Sequence, residues 1–90
     1  MTILGRRIEI RGVVQGVGFR PWVYRVATEE GVAGRVCNDA AGVTIDAFGP
    51  AEALDDFVHR LTTAPPAAAE IREVNAQPIP TERLDTFSII

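Results

Sequence analysis

Apolar and charged residues alternate along the first part of the chain. The two sets face opposite sides of an extended segment, with Ile8, Ile10 and Gly12 on one side and Arg7, Glu9 and Arg11 on the other. A period of two is typical of a strand with one face in the core and one in water. The pattern predicts a strand over residues 6–14, which ends at the glycine-containing segment 15–20.

Two later segments change to a helical period, and the first of them follows the glycine-containing segment. Val23, Val26 and Ala27 come after Pro21 at helical spacing. Proline is well tolerated as the first residue of a helix because its missing N–H would have no partner there. Pro21 is therefore predicted as the first helical residue, and Gly31 is placed to end the helix.

The second helical segment begins after Gly49-Pro50 and carries an amphipathic stripe. Its apolar residues follow the i, i+3, i+4, i+7 spacing of one helix face: Leu54, Phe57, Val58 and Leu61. Pro65 and Pro66 cannot continue the hydrogen-bond ladder of a helix, so this helix is expected to end within residues 62–66.

The remaining apolar segments are short and are separated by turn residues. A second strand is predicted from Gly34 to Asn38, and a turn over residues 39–42 leads into a third strand from Val43 to Phe48. A fourth strand begins over residues 71–74 and is expected to extend toward Ile79.

With a short fifth strand at residues 87–90, the element order is strand, helix, strand, strand, helix, strand and a final short strand. This order predicts an α+β fold of the ferredoxin-like, split βαβ type, with two helices on one face of an antiparallel sheet. Ninety residues suffice for one core, so a single domain is expected over residues 1–90. The fold serves many functions, and the function has to be argued from a site.

Composition narrows the classes of function. The formal net charge of −3 disfavours a surface that coats nucleic acid. RNA-recognition domains share the predicted topology, but they need exposed aromatic residues on the sheet, and residues 43–47 offer none. RNA binding is therefore rejected.

Single copies of cysteine and histidine limit metal and redox chemistry. Cys37 cannot form an intrachain disulfide, and His59 has no second histidine with which to hold a metal ion. No metal or cofactor is expected; Cys37 is interpreted as a passive strand residue and His59 as a residue at the rim of its helix. No apolar run reaches the roughly 20 residues of a membrane span, and a cytoplasmic location is predicted.

The candidate chemistry lies at the first strand-to-helix turn, Gln15-Gly16-Val17-Gly18-Phe19-Arg20. Backbone N–H groups of such a turn can converge on an anion, and the helix dipole adds partial positive charge at the same place. Arg20 brings a planar guanidinium that suits phosphate oxygens. The alternatives are a glycine turn with no ligand and a surface arginine paired with a carboxylate.

Asn38 ends the second strand, and its interpretation from the residues alone stays open. Asparagine is an ordinary turn residue that tolerates unusual backbone angles. A functional role requires Asn38 to lie near the first loop, which the predicted fold allows.

Two motifs together resemble the acylphosphatase family. They are Gly12-Val13-Val14-Gln15-Gly16-Val17-Gly18-Phe19-Arg20 and Gly34-Arg35-Val36-Cys37-Asn38. Within that family, the chain is most similar to the N-terminal domain of hydrogenase-maturation carbamoyltransferases. The segments that carry this likeness are Phe19-Arg20-Pro21-Trp22-Val23-Tyr24-Arg25, Val36-Cys37-Asn38-Asp39 and Pro65-Pro66. Those are large multidomain proteins that use carbamoyl phosphate, so the chain is expected to be an excised domain or a free-standing relative.

The resemblance implies hydrolysis of acyl phosphates, including carbamoyl phosphate, with release of inorganic phosphate. It assigns Arg20 as the phosphate anchor, Asn38 as the residue that orients the attacking water, and the backbone of residues 15–19 as the rest of the phosphate cradle. It implies no metal and no cofactor, and its partners are the small-molecule substrate and the other domains of a larger carbamoyltransferase. The alternative is a binding domain that holds carbamoyl phosphate with little or no turnover.

Overall fold

Five strands and two helices make up the part of the chain that a computed structural model describes, residues 2–14, 16 and 18–90. In chain order they are β1 (Leu4–Val13), α1 (Phe19–Glu30), β2 (Ala33–Asp39), β3 (Gly42–Gly49), α2 (Ala51–Thr63), β4 (Glu70–Ile79) and β5 (Phe87–Ile89). The strands form one sheet in the order β4-β1-β3-β2-β5. The predicted ferredoxin-like α+β fold is confirmed, and so is the extension of the fourth strand to Ile79.

The sheet is antiparallel from β4 to β2, and β5 is the exception because it pairs parallel to β2, with Gly34 opposite Phe87. Strand β4 ends at the end of the sheet where β2 begins. Residues 80–86 then cross that end to the outer edge of β2, so the chain enters β5 in the direction of β2. The predicted antiparallel sheet therefore holds for four strands and not for the fifth.

The core lies between the helices and one face of the sheet. Ile8 and Ile10 are both 0% exposed, as the alternation of β1 predicts. Helix α2 buries three residues of its predicted stripe, and Val58 is partly buried against the same cluster. The strands and α1 supply the other fully enclosed side chains, among them Phe19, Val23, Val26, Val36, Val43, Ile45 and Ala47.

Helix α1 begins at Phe19, two residues before the predicted start at Pro21. Pro21 is the third helical residue, where its lack of an N–H costs nothing because the first N–H groups of a helix have no intrahelical acceptor. The first N–H after the proline, that of Trp22, donates to the Gly18 carbonyl at 3.2 Å. The prediction placed the start of the helix two residues too late, because proline is tolerated at each of the first positions of a helix and does not mark the first one.

Gly31 ends α1 as predicted, in the left-handed conformation. Its N–H donates to the Thr28 carbonyl, and the N–H of the buried Val32 donates to the Ala27 carbonyl. This pair of hydrogen bonds is the Schellman arrangement, which satisfies carbonyls that the helix itself leaves without donors. Between residues 2 and 90, apart from the gaps at 15 and 17, no helix is long and apolar enough to cross a membrane.

The sheet face that carries no helix holds an ion-pair network. Asp46, only 7% exposed, accepts from the Nε of Arg7 at 2.8 Å and lies 3.3 Å from a guanidinium nitrogen of Arg35. Arg35 also donates to Glu82 at 2.6 Å. The network therefore attaches the crossing segment 80–86 to β2 and β3.

Candidate functional site

The predicted anion loop is fixed at both ends by buried side chains. Val14, just after β1, is 2% exposed, and Phe19, the first residue of α1, is 1% exposed. Gly16 and Gly18 between them are exposed, and both have positive φ angles, 74° and 73°. A side chain in this left-handed region costs roughly 1 kcal/mol, which explains glycine at the residue that caps α1. Gln15 and Val17, also predicted to hold phosphate through their backbone, lie outside the described residues.

Arg20 is the second residue of α1 and is half-buried. Its Nη1 lies 3.5 Å from the carbonyl oxygen of Ile90. No Asp or Glu side chain in the described part of the chain pairs with it, whereas Arg7, Arg35 and Arg60 each pair with carboxylates. The first turn of α1 contains no acidic residue either. The structure thus leaves a cation beside the positive end of a helix without an anionic partner among the described side chains.

Asn38 lies at the end of β2, directly opposite Val43 on β3, which is in turn opposite Ile10 on β1. Residues opposite each other across a sheet project to the same face. Val43 and Ile10 are buried on the helix-bearing face, so the exposed Asn38 projects from the rim of that face. This is the face on which α1 begins.

Gly34 allows β2, the strand that carries Asn38, to lie close to β3. Its φ is 141°, and a Cβ at this position would overlap the carbonyl oxygen of Asp46 on β3. The absence of a side chain therefore lets the two strands approach at this point.

The turn that follows Asn38 is built around the Asp39 carboxylate. One carboxylate oxygen accepts from the backbone N–H groups of Ala41 and Gly42, and the other accepts from the hydroxyl of Thr44 at 2.8 Å. The Thr44 hydroxyl, followed by the backbone amides, holds the pKa of Asp39 below its usual range. Asp39 thus stays ionised at neutral pH and fixes the turn beside Asn38, in line with the turn chemistry predicted for this residue.

Topology brings the loop and Asn38 to the same end of the sheet. Strands β1 and β2 are both antiparallel to β3, which lies between them, so the two strands run in the same direction and end together. Two strand spacings separate them, roughly 10 Å. Arg20 reaches this end of the sheet from the outer edge of β2, where β5 pairs. Its guanidinium donates to the Ile90 carbonyl, and the N–H of Ile90 donates to the Val36 carbonyl of β2 at 2.9 Å.

The residues assigned passive roles have ordinary surroundings. Cys37 is a free, partly exposed residue of β2 and lies opposite Thr44, so it projects to the face without helices. His59 is exposed on α2, where its carbonyl accepts from the hydroxyls of Thr62 and Thr63. Within the described ranges, no three His, Cys, Asp or Glu side chains are grouped as metal ligands are.

Sequence reasoning missed two features of this region. One is the contact of Arg20 with Ile90, which joins residues 70 positions apart. The other is a groove of about 380 Å³ beside the loop, lined by Gly18, Pro21, Trp22, Arg25, Ala64 and Pro66. Only the packing of α1 against the end of α2 brings these segments together; the one local signal was a tryptophan within a turn of the loop.

Comparisons with known proteins agree with this architecture. The family model described as acylphosphatase matches residues 6–89. The chain is 54% identical to carbamoyltransferase HypF2 of Cupriavidus necator over 71 residues, which cover 79% of the chain and 9% of that protein. It is 48% identical to an acylphosphatase of Nitrobacter hamburgensis over 75 residues, 82% of the chain and 75% of that protein.

A solved structure is similar over nearly the whole chain. Full-length HypF in its phosphate- and nucleotide-bound form superposes with a TM-score of 0.96 at 31% identity, covering 99% of this chain and 12% of that one. The chain therefore spans about a tenth of the length of these carbamoyltransferase relatives and most of the length of the acylphosphatase.

Proposed function

The chain belongs to the acylphosphatase family, and from this premise we propose that it hydrolyses acyl phosphates to a carboxylate and inorganic phosphate. The substrate class includes carbamoyl phosphate, which would give carbamate and phosphate. Named acylphosphatases among the relatives support hydrolase activity.

Phosphate binding is assigned to the loop and Arg20. The guanidinium of Arg20 and the backbone N–H groups of residues 15–19 hold the phosphate oxygens, where negative charge is greatest. Phosphoryl transfer depends mainly on positioning and charge stabilisation, and one preorganised donor contributes roughly 10²–10³ in rate. Under this assignment, the Arg20 cation and the loop amides supply the charge stabilisation that the reaction requires.

Asn38 is assigned the role of positioning the nucleophile, which is a water molecule. Its side-chain amide holds a water in line with the bond between phosphorus and the acyl oxygen. The water oxygen bonds to phosphorus, the P–O bond to the acyl group breaks with its electron pair, and the carboxylate leaves. The proton of the water passes to a phosphate oxygen of the substrate. A carboxylate is a good leaving group, so a side-chain acid is not required.

One observation carries this proposal: the half-buried Arg20 has no acidic partner among the described side chains, at the positive end of α1. Like-sign charge at this end of a helix is disfavoured by roughly 0.3–1 kcal/mol. A bound phosphate oxyanion removes that penalty by interacting with the guanidinium and the helix N-terminus together.

The test is hydrolysis of benzoyl phosphate and carbamoyl phosphate by the wild type, Arg20→Ala, Arg20→Lys and Asn38→Ala. Arg20→Ala is expected to lose at least about 100-fold in kcat/KM, because both charge and donors are removed. Arg20→Lys should recover part of the loss. Asn38→Ala is expected to lower kcat more than it raises KM, since water is held only for the reaction.

Arg83→Ala is the matched control, since Arg83 is another arginine without an acidic partner among the described residues and lies on the crossing segment at the far end of the sheet. Circular dichroism confirms that each variant is folded. Arg20→Ala or Asn38→Ala turning over both substrates like the wild type would refute the assigned site.

A binding domain for carbamoyl phosphate is the second candidate. The observation that favours it is the 54% identity to a carbamoyltransferase of which the chain spans 9%. Such a domain would bind inorganic phosphate in an Arg20-dependent way while its turnover of both substrates stayed near the uncatalysed rate. Phosphate titration by isothermal calorimetry, run beside the hydrolysis assay, separates the two candidates. In either case the other domains of a carbamoyltransferase are the proposed partners.

The cytoplasm is the proposed location. Cys37 is a free thiol, and single unpaired cysteines are typical of reducing compartments. Fractionation of cells that express the protein tests this placement.

A further inference from the structure

A groove adjoins the anion loop between the first turns of α1 and the segment that follows α2. We name it the acyl groove; its lining residues are Gly18, Pro21, Trp22, Arg25, Ala64 and Pro66. Gly18 belongs to the loop itself, so the groove is continuous with the proposed phosphate site. Its volume of about 380 Å³ is far larger than a carbamoyl group needs and falls at the small end of ligand pockets.

The lining combines an aromatic side chain with a cation. Trp22 is partly buried, packs against Phe19 with ring centroids 5.4 Å apart, and contributes to the wall of the groove. Tryptophan gives a planar apolar surface against which an acyl chain or an aromatic ring can lie.

Arg25 supplies a cation to the lining of the groove. It is exposed, and no acidic side chain of the described residues pairs with it. The acidic residues at the end of α1, Glu29 and Glu30, pair with Arg60 of α2 instead. Arg25 comes seven residues after Gly18, the N-cap residue of α1, which places the two about 10 Å apart along the helix axis.

We propose that the acyl groove binds the acyl part of acyl phosphates that carry a second, terminal carboxylate. The phosphate occupies the loop, the body of the acyl group lies along Trp22, and the terminal carboxylate interacts with Arg25. This inference rests on the proposed acyl phosphate hydrolysis and specifies its substrate class. An anion is the ligand that fits, because Arg25 is a cation without an acidic partner in the described structure and lines the same groove as Gly18 of the phosphate loop.

Binding is tested with two phosphonates that cannot be hydrolysed, benzoylphosphonate and 4-carboxybenzoylphosphonate. Trp22 is the single tryptophan of the chain, so its fluorescence reports occupancy of the groove directly. The wild type is expected to bind the carboxylated compound roughly three- to fivefold more tightly, the range of a partly exposed charge pair. This preference should shrink in 0.5 M salt, which screens exposed charges.

Variants assign the preference to its residue. Arg25→Ala is expected to bring the affinity ratio of the two phosphonates close to one, Arg25→Lys to keep part of it, and Arg25→Glu to reverse it. Arg83→Ala is the matched control and should keep the wild-type ratio. A merely structural role for Arg25 would change both affinities together and leave the ratio intact.

Three results would overturn the proposal: a wild-type ratio near one, a ratio that survives in Arg25→Ala, or no binding of either phosphonate. An Arg25-dependent ratio in a protein that hydrolyses neither benzoyl phosphate nor its 4-carboxy derivative would uphold the groove while refuting the proposed hydrolysis. Arg20-dependent hydrolysis together with equal affinities for the two phosphonates would uphold the proposed hydrolysis and refute the proposed role of the groove. The two proposals therefore fail separately.

Discussion

Asp46 is the acidic side chain at the centre of the ion-pair network on the sheet face without helices. It is 7% exposed, accepts two hydrogen bonds from Arg7, at 2.8 and 3.2 Å, and lies 3.3 Å from Arg35. The hydrogen bond from Arg7 is the main reason that the pKa of Asp46 lies below its usual range, and the charges of both arginines act in the same direction. An isolated carboxylate at this depth would instead be expected to show a raised pKa.

Replacing this carboxylate should destabilise the protein. Asp46→Asn is expected to lower the free energy of unfolding by about 1–2 kcal/mol, because two charge-assisted interactions are lost while Arg7 remains partly solvated. Urea unfolding at pH 7 measures the change. Asp56→Asn, at an exposed position on α2, is the matched control and should stay within about 0.5 kcal/mol of the wild type.

The same replacement has a defined pH dependence. A carboxyl whose pKa is lower in the folded than in the unfolded state stabilises the fold fully above its unfolded pKa, about 3.9. That contribution is lost as the pH falls through the folded pKa. The difference between wild type and Asp46→Asn should therefore be constant from pH 7 to pH 5 and shrink below about pH 4. A difference that grows on acidification would contradict the assignment of the shifted pKa to Asp46.

Strand β2 depends on a glycine for its close contact with β3. Gly34 has no room for a Cβ against the Asp46 carbonyl oxygen, whereas Gly31, also at positive φ, has no atom within 4 Å of the corresponding position. The two glycines therefore separate the effect of crowding from the effect of the backbone angle alone.

A pair of alanine variants tests this at the level of the strand. Gly31→Ala is expected to cost about 1 kcal/mol for the left-handed angle. Gly34→Ala should cost about 2 kcal/mol or more and, because β2 carries Asn38, also reduce acyl phosphate hydrolysis in the fraction that stays folded. Urea unfolding and the hydrolysis assay give the two values. Equal costs for the two variants would show that β2 and β3 can separate without penalty.

At the scale of the whole molecule, strand β5 packs against both helices and the edge of the sheet. Phe87, 6% exposed, meets Phe57 of α2 at 6.2 Å between ring centroids and Tyr24 of α1 at 6.4 Å. A residue near the end of the described chain thus joins both helices and the edge of the sheet. The next residues reach Arg20 through Ile90, so the same strand contributes to the candidate site.

Phe87→Ala is expected to lower the free energy of unfolding by about 3 kcal/mol or more, since a large enclosed ring is replaced by a cavity. Domains of this size have roughly 5–10 kcal/mol in total, so the urea midpoint should move far toward zero. Tyr24→Ala, which removes a half-exposed ring from the same contact, should cost clearly less. A loss below about 1 kcal/mol in Phe87→Ala would mean that β5 is not part of the cooperative fold.

Most of the fold could be predicted from the periodicity of hydrophobic residues. Alternation in β1 and the four-residue stripe of α2 are local properties of the residues, and burial follows them with Val58 as the partial exception. Glycine and proline positioned the element ends to within two residues. The start of α1 differed because a proline is compatible with any position in the first turn, so it marks the turn and not its first residue.

The loop and Arg20 were also selected from the sequence by their residue types, whereas Asn38 was selected through the resemblance of two contiguous motifs to the acylphosphatase family. Their roles remain predictions that the variants above test. What the residues alone left open was whether Asn38 belonged to a turn or to a site. The sheet order meets the condition that a site requires, since β1 and β2 flank β3 in the same direction and bring the loop and Asn38 to one end, and the role of Asn38 stays a prediction.

Only the tertiary structure decided the features that join distant segments. The parallel pairing of β5, the contact of Arg20 with Ile90, the shared burial of Asp46 between two arginines and the acyl groove between α1 and residues 64–66 all have this character. Sequence patterns describe how one residue relates to its neighbours along the chain. Apart from the contact of Arg35 with Asp46, which spans one hairpin, these contacts join residues about 40 to 70 positions apart. They depend on the path of the whole backbone, which no local pattern of polarity encodes.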